Sequence, residues 1–235
     1  MALERVRKQI QISPKNAYFH NLLGQLYEKN RQLDKAEASF KRAIHLNPQV
    51  PAFYVSLGNF YGRHNLIDKA AREYRGAIEA NPDHLPAHML LGIVYESKKE
   101  IAEAKKQYQR VLEINPDFAP AANNLAWVEA EYGGNIDAAL NLAQKAKQQA
   151  PEDPRISDTL GWIYYKKDIL TRAITHLEES KEKLPDHPVI RYHLGMAYHK
   201  NGQKTLAKRE LEKALELNPD FDGAERAQRL LAEMK

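Results

Sequence analysis

The residues able to carry acid–base or metal chemistry are led by nine histidines. Protein zinc sites need histidines at spacings that converge on one ion, as in a His-Glu-x-x-His helix, and no such motif occurs. His84 and His88 are four residues apart, but Pro86 lies between them and predicts a turn and a helix start. His193 and His199 are six apart, a rotation of about 240° that directs them to different sides of a helix. We therefore expect no metal site.

Motifs for covalent catalysis and phosphate binding are missing as well. The chain has no cysteine, which excludes a thiol nucleophile, and no serine lies in a Gly-x-Ser-x-Gly elbow. Gly133-Gly134 is the only pair of adjacent glycines, and it belongs to neither a P-loop nor a dinucleotide-binding fingerprint. Carboxylate pairs such as Glu178-Glu179 fall on predicted solvated helix faces. The sequence predicts a protein that is not an enzyme and holds no cofactor.

Composition restricts the classes of partner. The 35 Lys and Arg exceed the 31 Asp and Glu by only four, and the two signs alternate along the chain, which does not favour nucleic acid as a ligand. No run approaches the roughly 18 consecutive apolar residues of a membrane helix. A hydrophobic fraction of 43% is enough for a packed core.

The elements that position any site come from an internal repeat. A leucine followed by a small residue recurs every 34 residues, with one extra residue in the fourth unit, at Leu23-Gly24, Leu57-Gly58, Leu91-Gly92, Leu125-Ala126, Leu160-Gly161 and Leu194-Gly195. An alanine follows at Ala36, Ala70, Ala104, Ala139, Ala173 and Ala207, and each unit closes near Pro48, Pro82, Pro116, Pro151, Pro185 or Pro219. Within each unit the apolar residues fall at helical spacing in two stretches. Each unit is therefore predicted to be a pair of helices.

The residue types predict how the two helices meet. In the second unit, the small residues Gly58 and Ala70 allow a close approach, and Tyr61 and Tyr74 fill the space beside them. Asn-Pro pairs such as Asn81-Pro82 end the second helix, since the residue before proline resists the helical conformation. An antiparallel helical hairpin is expected.

This pattern of Leu-Gly, Tyr, Ala, Phe or Tyr, and Pro resembles the tetratricopeptide repeat (TPR). The resemblance implies an all-α fold: an alpha-alpha superhelix of six helix-turn-helix repeats, an N-terminal half-repeat and a C-terminal capping helix. A single solenoid domain over residues 1–235 is predicted, with the half-repeat at 2–14, repeats at 17–50, 51–84, 85–118, 119–153, 154–187 and 188–221, and the cap at 221–234. The half-repeat also suggests that the chain is part of a longer protein.

The fourth repeat departs from the others. It opens with Asn123-Asn124-Leu125-Ala126-Trp127, and residues 131–135 lengthen the loop between its helices by one residue. This opening, followed by Asp158-Thr159-Leu160-Gly161-Trp162, resembles bacterial TPR proteins of envelope and exopolysaccharide systems (PEP-CTERM type). That resemblance implies a bacterial cytoplasmic or periplasmic protein, while the compartment itself stays open.

The TPR resemblance also implies that the first helices line a concave groove through the second, fifth, ninth and twelfth positions of each unit. The predicted peptide-binding residues are Val55, Asn59, Met89, Ile93, Asn123, Trp127, Arg155, Asp158, Trp162, Tyr165, Tyr192 and Met196. Trp127 and Trp162 hold equivalent ninth positions and are expected to form an exposed aromatic patch that anchors a ligand. Alternatively, ninth-position side chains pack between neighbouring first helices. Asn59 and Asn123 would bond the ligand backbone, and Arg155 and Asp158 would set its polarity.

These features predict a non-catalytic protein–protein interaction scaffold that binds a peptide or protein segment. TPR domains that hold chaperone C-termini use a carboxylate clamp of Lys, Asn and Arg, and the corresponding positions here, including Gln25, Pro86 and Leu90, lack the cations. A heat-shock chaperone C-terminus is therefore not an expected partner. The alternative hypothesis is a self-assembling structural component of a bacterial envelope or secretion complex, and nucleic-acid binding is the third.

Overall fold

The computed structural model describes residues 2–234, and the described residues form fourteen α-helices with no strand. The helices are α1 Ala2–Ile12, α2 Ala17–Lys29, α3 Leu33–Leu46, α4 Pro51–Arg63, α5 Ile67–Ala80, α6 Leu85–Ser97, α7 Ile101–Ile114, α8 Ala119–Glu131, α9 Ile136–Gln149, α10 Pro154–Lys166, α11 Leu170–Lys183, α12 Pro188–Lys200, α13 Lys204–Leu217 and α14 Ala224–Glu233. The predicted all-α repeat is confirmed. Within the described residues, no helix is both long and apolar enough to cross a membrane.

The chain divides into two compact units, residues 2–114 (unit 1) and residues 115–234 (unit 2). In unit 1, α1 packs on α2, and the hairpins α2–α3, α4–α5 and α6–α7 pack in sequence. In unit 2, the hairpins α8–α9, α10–α11 and α12–α13 do the same, and α14 packs on α13. The prediction of one solenoid domain with the stated repeat bounds stays a prediction.

The helix ends follow the sequence signals. The second helix of a repeat stops directly before Asn-Pro, as at Asn47, Asn81 and Asn218. The asparagine side chain then caps the turn: Asn81 Oδ1 accepts from the Asp83 backbone N–H at 3.0 Å, and Asn218 Oδ1 does the same for Asp220. The next first helix opens with proline at one of its first two positions, where the missing N–H has no intrahelical partner.

The loop inside each hairpin contains one residue in the left-handed conformation. The six residues are Arg31, Asn65, Lys99, Gly133, Asp168 and Gly202, with φ between 57° and 78°. Only two of them are glycine, and the conformation lets the chain reverse within three residues in five of the hairpins. In the fourth hairpin, residues 132–135 form a four-residue loop, which confirms the predicted one-residue insertion.

Small residues bring the two helices of each hairpin together. A Cβ atom built on Gly58 would lie 2.5 Å from the Tyr74 ring, and the equivalent distance from Gly92 to the Tyr108 ring is 2.6 Å. Ala70 and Tyr74 are buried, as predicted. The ring of the second helix therefore occupies the volume that a side chain on the first helix would need.

Replacing Gly58 with alanine is expected to lower the free energy of unfolding by about 2 kcal/mol, because overpacking forces the Tyr74 ring out of its place. Gly62 on the same helix is the matched control, since its added Cβ would meet nothing closer than the Tyr74 hydroxyl at 3.9 Å. Gly62→Ala is expected to be neutral or stabilising through helix propensity. Urea unfolding of both variants followed by circular dichroism measures the difference; equal effects would contradict this packing account.

Candidate functional site

In unit 2 the first helices of the hairpins, α8, α10 and α12, lie side by side. The side of these helices that carries the predicted groove positions is called here the inner face of unit 2. Trp127 comes from α8, Asp158 and Trp162 from α10, and Tyr192 from α12. The structure brings these four residues together.

Behind this face lies an aromatic cluster of Trp162, Tyr192, His193 and Phe221, with Tyr165 and Trp127 at its edge. The Trp162 ring stacks on His193 at 4.1 Å between centroids and on Tyr165 at 4.7 Å. Tyr192 contacts Phe221 at 5.4 Å, and Trp127 contacts His193 at 5.7 Å. These stacked and tilted rings form a continuous apolar support for the inner face.

The expectation that Trp162 presents an exposed anchor is wrong. Trp162, Tyr192 and Met196 are 4%, 4% and 5% exposed, because the helices close over them and Tyr165 covers the Trp162 ring. The indole N–H of Trp162 donates to Glu131 Oε2 at 2.8 Å, and Lys166 Nζ lies 2.7 Å from the same oxygen. Burial also raises the pKa of the Tyr192 hydroxyl. Trp162 and Met196 instead fit the alternative, in which ninth-position side chains pack between neighbouring first helices.

Trp127 remains partly exposed and lines a recess of about 180 Å³ on the inner face. The recess is lined by Asn123, Asn124, Trp127, Arg155, Asp158, Thr159, His187, Val189 and Ile190. Its volume corresponds to about six water molecules, which is enough for one side chain of a ligand.

The polar groups of the recess differ in whether they already have a hydrogen-bond partner. Asp158 Oδ1 accepts from His193 Nδ1, with 2.9 Å between the atoms, and this bond holds the histidine in the ring stack. Asn123 is 9% exposed, and its Oδ1 has no hydrogen-bond partner among the described residues. A buried polar atom without a partner is rare, and a ligand donor in the recess would satisfy it.

Arg155 lies at the rim and is already paired. Its Nε and Nη2 atoms donate to the two carboxylate oxygens of Asp153 at 3.0 and 2.6 Å. This pair lowers the pKa of the Asp153 carboxyl and raises the pKa of Arg155. The predicted role of Arg155 in setting the polarity of a ligand stays a prediction.

In unit 1 the predicted site residues lie on α4 and α6. Val55, Asn59 and Met89 are partly buried, and Ile93 is 45% exposed. Asn59 Oδ1 accepts a hydrogen bond from the Tyr74 hydroxyl at 2.8 Å, so the Asn59 carboxamide links the two helices of its hairpin. Roles of these four residues in binding stay predictions.

The described residues contain no group of three or more His, Asp or Glu side chains that could hold a metal ion. His88 is used structurally, with its ring nitrogens 2.8 Å from Gln107 Oε1 and 2.9 Å from the Pro82 carbonyl oxygen. His193 is bound to Asp158 as described above. His88 and His193, two of the histidines considered for their spacing, thus form hydrogen bonds within the packed helices.

The list of predicted site residues lacks His187, Val189 and Ile190 of the recess lining, and it also lacks Asn124, Thr159 and His193. These last three occupy the sixth position of their repeats, which was not included in the groove pattern. Helical spacing could have identified these sixth-position residues, because position six lies one turn from positions two and nine on the same face.

The family of the chain is decided by sequence comparison. Family profiles described as tetratricopeptide repeat match residues 17–50, 64–128, 97–163 and 189–221, which together cover more than half of the chain. The chain is a tetratricopeptide repeat protein. No curated protein matches it.

Solved structures share the fold of this TPR protein. YrrB, a TPR protein with an unusual peptide-binding site, is 23% identical, with 81% of this chain and 97% of that chain covered and a TM-score of 0.59. A TPR protein from Parabacteroides merdae is 19% identical over 99% and 91% of the two chains, with a TM-score of 0.70. PilF of Pseudomonas aeruginosa is 14% identical over 99% and 100%, with a TM-score of 0.73.

The TPR fold suggests a protein–protein interaction scaffold with protein or peptide partners. Repeat proteins of this family are generally non-catalytic. The envelope resemblance, the cellular compartment and self-assembly stay predictions, since similarity at these identities shows the fold alone.

Proposed function

We propose that this TPR protein is a non-catalytic scaffold that binds an extended peptide segment of a partner protein on the inner face of unit 2. The observation that carries the proposal is the convergence of Asn123, Trp127 and Asp158, from two neighbouring hairpins, on one open recess. YrrB is described as a peptide-binding protein, but the proposal rests on residues of this chain.

Trp127 is the proposed anchor. Its ring is supported by His193, which is itself held by Asp158, so the indole needs little ordering when a ligand arrives. A preorganised aromatic side chain with apolar neighbours such as Val189 matches the composition of binding hot spots. The buried Trp162 below it contributes support rather than contact.

Replacing Trp127 with alanine is expected to weaken peptide binding by about 2 kcal/mol, roughly thirtyfold. Peptides are first selected from a phage-displayed random library on the full chain. Their affinities for the wild-type protein and the variant are then measured by fluorescence anisotropy of labelled peptides.

Ile169→Ala is the matched control, since it removes a 38% exposed apolar side chain from the loop before α11 in the same unit. It is expected to leave the affinity unchanged. If no peptide is selected, or if Trp127→Ala binds the selected peptides as well as the wild type does, the proposed function is wrong.

A further inference from the structure

We propose that the recess on the inner face of unit 2 receives a lysine side chain of the bound peptide. This inference rests on the proposed function and specifies the chemistry of its ligand. Three groups of its lining attract a cation: the Asp158 carboxylate, the Asn123 side-chain oxygen and the Trp127 indole face.

Asp158 supplies the negative charge. Its side chain is 14% exposed, and one oxygen, Oδ1, is taken by His193 Nδ1 at 2.9 Å. No other described residue donates a hydrogen bond to this carboxylate. The second oxygen, Oδ2, therefore keeps its hydrogen-bonding capacity at the wall of the recess.

Arg155, the one Lys or Arg side chain in the lining, forms its ion pair with Asp153. It is bound through Nε and Nη2, and its side chain is 73% exposed to solvent. The fork geometry of that pair directs the guanidinium at Asp153 rather than at Asp158. The two other ionisable residues of the site are His187, in the lining, and His193, which bonds Asp158. Asp158 is the only carboxylate in this lining, and the only arginine there is paired with Asp153.

Asn123 and Trp127 complete a site for an ammonium group. Asn123 Oδ1 is buried without a partner, and rotation about its soft terminal torsion would present it to a donor in the recess. The indole face of Trp127 attracts a cation through its quadrupole. An ammonium carries three donors, which suits the carboxylate and the amide, while Val189 and Ile190 contact its aliphatic stem.

The geometry favours lysine over arginine. Asp158 Oδ1 is already bonded to His193, so a guanidinium would have to share that oxygen to form the two parallel bonds that make arginine the stronger partner of carboxylates. A compact ammonium needs only a single oxygen.

The test compares peptide selection on three versions of the full chain: wild type, Asp158→Asn and Asp168→Asn. Asparagine at 158 keeps the oxygen that accepts from His193 but removes the charge. Asp168→Asn is the matched control, because it removes one charge from the loop between α10 and α11, where the left-handed backbone also suits asparagine. Thermal unfolding of the three proteins verifies that all are folded.

We expect lysine to be enriched at one position among peptides selected on the wild type and on Asp168→Asn, but not on Asp158→Asn. Replacing that lysine by uncharged norleucine is expected to weaken binding to the wild type about tenfold or more, and to change binding to Asp158→Asn little. Selected peptides that bind equally well with norleucine would overturn the inference while leaving the proposed function standing. Failure to select any peptide would overturn both.

Discussion

Replacing Trp162 with alanine is expected to lower the free energy of unfolding by about 4 kcal/mol. The indole is 4% exposed, stacks between His193 and Tyr165, and donates its N–H to Glu131. Alanine would leave a cavity in the aromatic cluster and remove the support beneath the inner face of unit 2. Urea unfolding followed by circular dichroism measures the loss.

Trp127 provides the matched control for this substitution. It holds the equivalent repeat position but is only partly buried, so Trp127→Ala is expected to cost about 2 kcal/mol or less in stability. Trp162→Phe retains most of the ring packing and loses the bond to Glu131, at a cost of about 1 kcal/mol. Equal stability losses for Trp127→Ala and Trp162→Ala would contradict the assignment of Trp162 to the core.

Replacing Glu210 with alanine is expected to destabilise unit 2 by about 3 kcal/mol. The Glu210 side chain is 1% exposed on α13, and its carboxylate lies 2.6 Å from an Arg191 nitrogen, 3.1 Å from Arg209 and 3.4 Å from Lys181. Removing it leaves the Arg191 guanidinium, which is 16% exposed, without its partner. The cost of an unpaired, largely buried charge is the reason for the large effect.

Glu212→Ala, two residues along the same helix, is the control. Its side chain is 57% exposed and lies 3.8 Å from Lys208, so it is expected to contribute less than about 1 kcal/mol. Hydrogen exchange of α11, α12 and α13 should accelerate in Glu210→Ala and stay unchanged in Glu212→Ala. Equal exchange rates in the two variants would show that the buried ion network does not hold these helices.

The sequence predicted the fold in detail because the same residue pattern occurs in six repeats, so that each helix assignment is supported six times. Leu-Gly, alanine and Asn-Pro recur at fixed spacing, and each has a direct physical role in close helix approach or helix termination. The extra residue in the fourth hairpin was predicted for the same reason. The left-handed loop residues were not, because arginine, lysine and aspartate occupy positions where glycine would have signalled the turn.

The site was predicted less completely than the fold. Repeat position fixes which helix carries a side chain but not how deeply its neighbours bury it, so Trp127 and Trp162 were treated alike. The difference depends on the rings that cover Trp162, namely Tyr165 and His193. His193 was not assigned to the site, since its role arises from the Asp158 carboxylate of the preceding hairpin, a contact between residues 35 apart in the chain.

The most direct test of peptide binding on the inner face of unit 2 uses the indole N–H signals of the two tryptophans in a two-dimensional ¹H–¹⁵N spectrum. Single Trp→Phe variants assign the two signals, and a selected peptide is then titrated into the labelled full chain. We expect the Trp127 signal to shift in proportion to binding, while the signal of the Trp162 N–H, which is bonded to Glu131 in the core, moves much less. A bound peptide that leaves the Trp127 signal unmoved would contradict the account.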